Sequence, residues 1–323
     1  MPTKAGFVAI IGEPNVGKST LLNAMLGTKL SIVSPKPQTT RRSILGIVTE
    51  GTEEDGVQII FFDTPGILSK ASYKLHHSMI DFVKSSVEGA DVLLVVADVQ
   101  KLIPHSHSAA SSHTLTPQDH VAPNPLQTLT ERLHMSFEAI NKPIIIALNK
   151  MDTLQNKNYA LPVMEKLSSL PFVRHIAAIS ALHNAYVREL LDTLKEYMPE
   201  HEFYYDAEML STQPQRFFVG EIIRETIFTR YRQEIPYSTE VSITQFKERQ
   251  HGKWYIAADI IVERDTQKYI IIGKGGSTLR ETGRLARKAI EQYLGCEVFL
   301  ELFVKVRADW RNNPIHLRSF GYH

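Results

Sequence analysis

The 323-residue chain contains almost no cysteine and no long apolar run. Its one cysteine, Cys296, excludes an intramolecular disulfide and any cysteine-cluster metal site, as expected for a reducing compartment. That residue reads as a small buried hydrophobe near the start of a strand. No apolar stretch approaches the ~20 residues a membrane-spanning helix needs. The N-terminus, Met1-Pro2-Thr3-Lys4, leads into a strand-like stretch without a signal-peptide apolar region. The expectation is a soluble protein, at most peripheral to a membrane. Net charge is also nearly absent, at +1. Its distribution is more informative: residues 264–323 hold 11 Lys/Arg against 6 Asp/Glu, a local +5 that leaves −4 for the rest. Such asymmetry points to a polyanion-binding region near the C-terminus.

What is present is a globular composition, 43% hydrophobic and 22% charged, in a length that suits two domains. Over the first two hundred residues, apolar β-branched runs alternate with helix-like stretches. The expected strands are Phe7–Ile11, Val57–Asp63, Val92–Ala97, Pro143–Asn149 and His175–Ile179. Their continuous rather than alternating apolar character is that of strands covered on both faces of a parallel sheet. Expected helices lie near Lys18–Leu26, Tyr73–Val87, Tyr159–Ser168 and Asn184–Tyr197. This rhythm predicts a doubly wound α/β domain over 5–198, with ligands at the carboxyl ends of its strands. Pro199 and Pro214 bracket a linker over 199–216.

From 217 to 323 the pattern becomes α+β. A helix begins near Phe217, followed by strands Thr239–Phe246, Lys253–Val262 and the short Lys268–Ile272, a helix Ser277–Leu294 and a strand Val298–Val306. Residues 101–127 fit neither pattern. They are rich in Ser, Pro and His and read as a long disordered surface insertion, whose His105, His107, His113 and His120 are too irregularly spaced for a metal site.

Gly12-Glu13-Pro14-Asn15-Val16-Gly17-Lys18-Ser19, followed by Thr20, fits the phosphate-loop pattern G-x4-G-K-[ST] between a strand and a helix. Its backbone N–H groups and the helix N-terminus would surround phosphate oxygens, Lys18 would bridge the β- and γ-phosphates, and Ser19 would ligate Mg²⁺. Asn149-Lys150-Met151-Asp152 ends a strand at the sheet's edge. An Asp152 carboxylate matches the paired N1–H and N2 donors of guanine and would be left desolvated and unpaired against adenine. Ser180-Ala181, ending the next strand, resembles the further base-contacting loop of such GTPases. Asp63-Thr64-Pro65-Gly66 offers a carboxylate to Mg²⁺ and the Gly66 N–H to the γ-phosphate. Between these motifs, Ser34–Arg41 is proline-containing, so it is expected to be mobile until γ-phosphate and Mg²⁺ order it. Thr40 is the expected Mg²⁺ contact, with Thr39 as the alternative. Lys18, Thr40 and Gly66 are then the groups expected to stabilise the transition state, with GTP/GDP and Mg²⁺ as cofactors.

Four such motifs in this order resemble those of a translation-factor-type GTPase. One departure bears on mechanism: Ile67 stands where Ras-like GTPases place the glutamine that orients water. Hydrolysis should be slow unless a partner or cation supplies the missing element. Asn15 resembles the asparagine that coordinates K⁺ in potassium-dependent members, which raises K⁺ as a further ion.

In the C-terminal part, Gly273-Lys274-Gly275-Gly276 precedes a helix on which Arg280, Arg284 and Arg287 fall at i, i+4 and i+7, with Lys288 adjacent. Leu279, Leu285, Ala286, Ala289, Ile290 and Tyr293 form its inward face. A GxxG loop beside a basic stripe is the element with which KH domains clamp single-stranded RNA.

Together GEPNVGKST, QTTRR, FFDTPGI, NKMD, GEIIRE and VERDTQKYIIIGKGGSTLRE through LELFVKVRADWRNN resemble the Era family of ribosome-assembly GTPases over nearly the whole length, the 101–127 stretch excepted. That resemblance implies a monomeric, cytoplasmic GTPase with an α/β P-loop domain and a KH-type RNA-binding domain. It implies binding to small-subunit (16S) ribosomal RNA near its 3′ end, maturation of the small ribosomal subunit, and peripheral association with the inner face of the bacterial membrane. A scaffold that binds but barely hydrolyses GTP is the alternative. A P-loop ATPase or small-molecule kinase is contradicted by Asn149 and Asp152.

Overall fold

The computed structural model describes residues 3–322 except 35, 68–70, 104–126, 128–130, 132–135 and 138–139. Most of the Ser/Pro/His-rich stretch, including its four histidines, lies outside the described residues. By its contacts the chain divides into two units. One comprises Met1–Lys29, Thr40–Ser69 and Ile80–Ser211; the other comprises Leu30–Thr39, Lys70–Met79 and Thr212–His323.

In the first unit, strands β1 (Lys4–Ile11), β2 (Ile44–Glu50), β3 (Val57–Asp63), β4 (Val92–Asp98), β5 (Ile144–Asn149) and β6 (Val173–Ala178) form one sheet in the order β2-β3-β1-β4-β5-β6. All pairings are parallel except that of β2 with β3. Every residue of β4 and β5 is buried, which explains why their sequences are continuous apolar runs. Helices α1 (Lys18–Leu26), α2 (Lys74–Gly89), α3 (Leu161–Ser168) and α4 (Val187–Glu196) connect them. Val83, Val87, Val163 and Leu167 pack with Leu93, Val95, Ile144 and Ile146 in the core. Each such aliphatic side chain contributes roughly 1.5–3 kcal/mol by leaving water. The expected strands and helices of this half are present, with ends shifted by a few residues. The antiparallel edge strand β2 was not foreseen, because Gly46, Thr49 and Glu50 dilute its apolar character.

The proline-bracketed stretch is pinned rather than loose at its start. The Gln58 side chain accepts the N–H groups of Tyr204 and Tyr205 at 2.9 and 3.0 Å and donates to the Tyr205 carbonyl at 2.8 Å. The chain passes to the other unit between Ser211 and Thr212.

The second unit contains α5 (Gln215–Arg230), α6 (Ile235–Ser238), β7 (Glu240–Lys247), β8 (Trp254–Val262), α7 (Asp265–Ile272), α8 (Ser277–Leu294), β9 (Val298–Val306) and α9 (Pro314–Ser319). Its sheet has the order β7-β8-β9, antiparallel then parallel. Val219, Ile223, Ile256, Ile260, Ala286 and Ile290 centre the core. Within it Arg224 is 1% exposed, its Nε donating to Glu221 Oε1 at 2.9 Å. Burial alone would lower the pKa of that guanidinium, but Glu221 overcomes it and holds the value above the ordinary one.

Three expectations are corrected here. Lys268–Ile272 is not a strand but the end of helix α7. Tyr-Ile-Ile-Ile has strand composition, yet only Gln267 and Ile271, spaced i, i+4, are buried in this helix. The Gln267 side chain also caps it, accepting the N–H groups of Glu263 and Arg264 at 3.0 and 3.1 Å. Cys296 lies near the start of β9 as expected, but it is only half-buried. On α8 the inward face is Thr282, Ala286 and Ile290, while Tyr293 is 36% exposed. Among the described residues no helix is long and apolar enough to cross a membrane.

Candidate functional site

The phosphate loop joins β1 to α1, and its shape follows from its neighbours. Gly17 has φ +102°, and a Cβ there would stand 2.2 Å from the Asn149 Nδ2. The Gly12 carbonyl accepts the Ile67 N–H at 3.2 Å and the Lys18 Nζ at 3.0 Å, and the Glu13 carbonyl accepts the same ammonium at 2.9 Å. Burial pushes the Lys18 pKa down to about 8, with Asp63 and Glu13 opposing the shift. Lys18 is therefore a desolvated cation held by carbonyl oxygens, ready to exchange them for phosphate oxygens. Asn15 has a positive φ of 63° and an exposed side chain, Val16 is buried, and Thr20 is half-buried on the first turn of α1.

The three expected Mg²⁺ ligands are brought together. The Ser19 hydroxyl donates to Asp63 Oδ2 at 2.8 Å and lies 2.9 Å from the Thr40 hydroxyl. Two hydroxyls and one carboxylate are hard oxygen donors, the set that suits Mg²⁺ when phosphates and water complete its shell. Among the described residues no cluster of three His, Cys, Asp or Glu offers a competing metal site. Thr39, the alternative, is occupied elsewhere: its hydroxyl donates to the Lys36 carbonyl at 2.7 Å. Gly66 crosses close to the loop, since a Cβ there would come 2.7 Å from the Pro14 Cα. Its backbone thus passes directly against the phosphate loop. Ile67 is 1% exposed and packed in the sheet core, so its side chain faces no attacking water.

The candidate base-recognition residues and their partners are assembled from three strand ends. The Asn149 side chain donates to the Val16 carbonyl at 2.8 Å and accepts the Ala181 N–H at 2.9 Å, tying β5 to the phosphate loop and to the turn after β6. Ser180 is 3% exposed and its hydroxyl donates to Asp152 Oδ1. Asp152 is exposed, on a turn begun by Lys150 in the left-handed region (φ 69°). Two participants escaped the sequence reading. Asp98, at the end of β4, pairs with the Lys150 Nζ at 2.7 Å, and the His183 Nε2 lies 3.8 Å from Asp152 Oδ2. Both partnerships are long-range or lie outside the motifs; the only hint was a carboxylate closing an otherwise apolar strand.

In the second unit, Gly273–Gly276 forms a tight turn between α7 and α8, closed by the Gly276 N–H on the Gly273 carbonyl at 3.1 Å. Gly275 and Gly276 have φ of +57° and +76°, and a Cβ on either would meet nothing within 4 Å. This is an open loop at a helix N-terminus, with the exposed Lys274 on it. Arg280, Arg284 and Arg287 are all exposed on α8. They are not equivalent: the Arg284 Nε donates to Glu281 at 2.9 Å, and the Arg287 Nε lies 4.0 Å from Glu291.

Comparison with known proteins agrees with both halves. The model of a family described as 50S ribosome-binding GTPase matches residues 7–150, and that of the KH domain matches residues 234–311. The chain is 40% identical over 324 residues to GTPase Era of Aquifex aeolicus (strain VF5), covering 99% of each. A crystal structure of Era with MgGDPNP and nucleotides 1506–1542 of 16S ribosomal RNA is similar at a TM-score of 0.85 and 38% identity, over 99% of each chain. A variant of Aquifex aeolicus Era bound to GDP·AlF4⁻ is similar at 0.85 and 39%, again over 99% of each chain.

Proposed function

The chain belongs to the Era family of GTPases, and from that premise we propose that it hydrolyses GTP, binds 16S ribosomal RNA near the 3′ end and assists assembly of the small ribosomal subunit. The observation that carries the enzymatic half is the hydroxyl–carboxylate set beside the phosphate loop, in which the Ser19 hydroxyl lies 2.9 Å from that of Thr40 and 2.8 Å from Asp63 Oδ2. In this reading Lys18 and the amides at the start of α1 hold the terminal phosphates, and the Gly66 N–H meets the γ-phosphate. Asp152, braced by Ser180, accepts the guanine N1–H and N2–H donors, while Asn149 and Ala181 fix the loops around the base. Mg²⁺, held by Ser19, Thr40 and Asp63, would neutralise charge that develops between the β- and γ-oxygens. K⁺ at Asn15 is the second ion of the proposal; equal turnover in Na⁺ and K⁺ would remove it. With Ile67 buried, intrinsic turnover is slow.

In the RNA half, Gly273, Lys274, Gly275 and Gly276 grip the backbone of a single strand, and Arg280, Arg284 and Arg287 extend the positive surface along α8. The division into a G domain over 5–198, a linker over 199–216 and an RNA-binding domain over 217–323 belongs to the same proposal. So do a monomeric state, a cytoplasmic location and peripheral association with the inner membrane face, which family membership alone supports. The decisive experiment is GTP turnover in K⁺ buffer, with and without RNA carrying the small-subunit 3′ end. Stimulation by RNA is expected. Tight binding of both ligands without stimulation would favour the scaffold reading, in which an additional activator is needed.

A further inference from the structure

A carboxylate presents about four acceptor positions. With the N1–H and N2–H of guanine and the Ser180 hydroxyl on Asp152, one position is left for another donor. His183 stands beside it: its Nε2 lies 3.8 Å from Asp152 Oδ2, beyond a hydrogen bond but within ion-pair reach. The turn that carries this ring is closed on itself. Ser180 and Ala185 exchange backbone hydrogen bonds at 3.1 and 3.0 Å, and the His183 N–H points to the Ser180 Oγ at 3.4 Å. Asn184 and Tyr186 take left-handed backbone conformations, with φ of 54° and 59°, that bend the chain back here. One hydroxyl thus touches both partners, accepting from the His183 backbone and donating to Asp152. Among the described residues no other charged group pairs with the ring, and Lys150 on the Asp152 turn is engaged by Asp98 at 2.7 Å. The His183 side chain is 63% exposed, so a rotation of the ring can close the remaining gap.

An exposed histidine beside a carboxylate is ordinarily a solvated pair of little consequence. Here the carboxylate is the one that meets the base. A base lying against it excludes water, and the same pair then attracts more strongly. We propose that His183 is a positioning residue for guanine, donating from Nε2–H to Asp152 Oδ2 and holding that carboxylate against the base. This rests on the reading of Asp152 as the guanine acceptor, and it gives a role to a residue outside the four nucleotide motifs.

The test measures binding of fluorescent GDP to the full chain. His183→Ala is expected to weaken it roughly three- to tenfold, between the effect of an exposed pair and that of a hydrogen bond to a charged group. His183→Gln keeps an N–H donor and should restore most of the loss. His183→Glu sets a carboxylate against Asp152 and should bind more weakly than His183→Ala. In the Asp152→Asn background, read with XDP, His183→Ala should cost less than about twofold, because the charge-assisted bond has become a neutral one. Wild-type GDP affinity in His183→Ala would overturn the role. So would an equal loss in His183→Gln, or an equal loss in both backgrounds, either of which marks a disturbed turn instead of a lost donor. Asp152→Asn with GDP is the separate control: unchanged affinity there would mean that the reading of Asp152 itself has failed. If that variant loses GDP while His183→Ala does not, only the role of His183 is lost. Thermal melts verify that each variant is folded.

Discussion

Two glycine loops at helix N-termini are the proposed phosphate sites of this molecule, and they present opposite physical regimes. The loop before α1 is enclosed: Gly17 is pressed against Asn149, Gly66 against Pro14, and Lys18 is buried with its pKa down to about 8. The loop before α8 is open: nothing stands within 4 Å of a Cβ on Gly275 or Gly276, and Lys274 is exposed. In the first, glycine is demanded by crowding, so the cradle is rigid and its cation desolvated. Electrostatic attraction is strong there and selectivity comes from unpaired-group penalties. In the second, glycine is demanded by backbone conformation, the approach is unobstructed, and attraction works through solvent. The enclosed loop suits one small ligand held in one geometry; the open loop suits a polymer that enters from the side.

The sharpest test of the enclosed regime is base recognition. Asp152→Asn should cost guanine nucleotides on the order of 10⁴ in affinity, by analogy with other polar sites, and gain xanthine nucleotides. Competition binding with GDP and XDP measures it, and unchanged GDP affinity would remove Asp152 from that role. Next in size, Gly17→Ala should lower GTP affinity at least ~100-fold, because its Cβ would enter Asn149 Nδ2 at 2.2 Å. Gly276→Ala, by contrast, meets open space and should cost only about 1–2 kcal/mol of left-handed backbone strain. Thermal melts and RNA titrations of the two variants would break the comparison if the effects came out alike.

A smaller effect concerns salt. Lys274→Ala should reduce the slope of log RNA affinity against log salt by about one. Arg284→Ala should change it less, since Glu281 already engages that guanidinium. The smallest concerns pH. The Lys18 pKa in the free protein is lowered to about 8 and phosphates would raise it, so nucleotide binding takes up a proton above that pH. GTP affinity should be flat below pH 8 and fall by up to tenfold per unit just above it. Calorimetry at pH 8.5 in two buffers of different ionisation heat reads the proton uptake directly.

Much of this was legible from sequence because the informative segments are local. A strand, a tight turn and a helix N-terminus make a phosphate site from contiguous residues, so Gly12–Ser19, Asp63–Gly66 and Asn149–Asp152 could be placed without a structure. Ile67 could likewise be marked as a departure, and it is indeed turned into the core. The helix at Lys268–Ile272 was misread because Tyr-Ile-Ile-Ile carries the composition of a strand. Only the burial of Gln267 and Ile271, with two residues between them facing water, makes it helical.

Sequence by itself therefore determined the fold class and where the candidate phosphate, guanine and glycine-loop motifs lie, since each depends on residue types at short fixed spacing. Only the tertiary structure decided which hydroxyl joins Ser19, how Asn149 ties Val16 to Ala181, and that Asp98 holds Lys150. Those facts depend on segments distant in the chain meeting in space, where burial and hydrogen-bond satisfaction, not local propensity, fix each side chain.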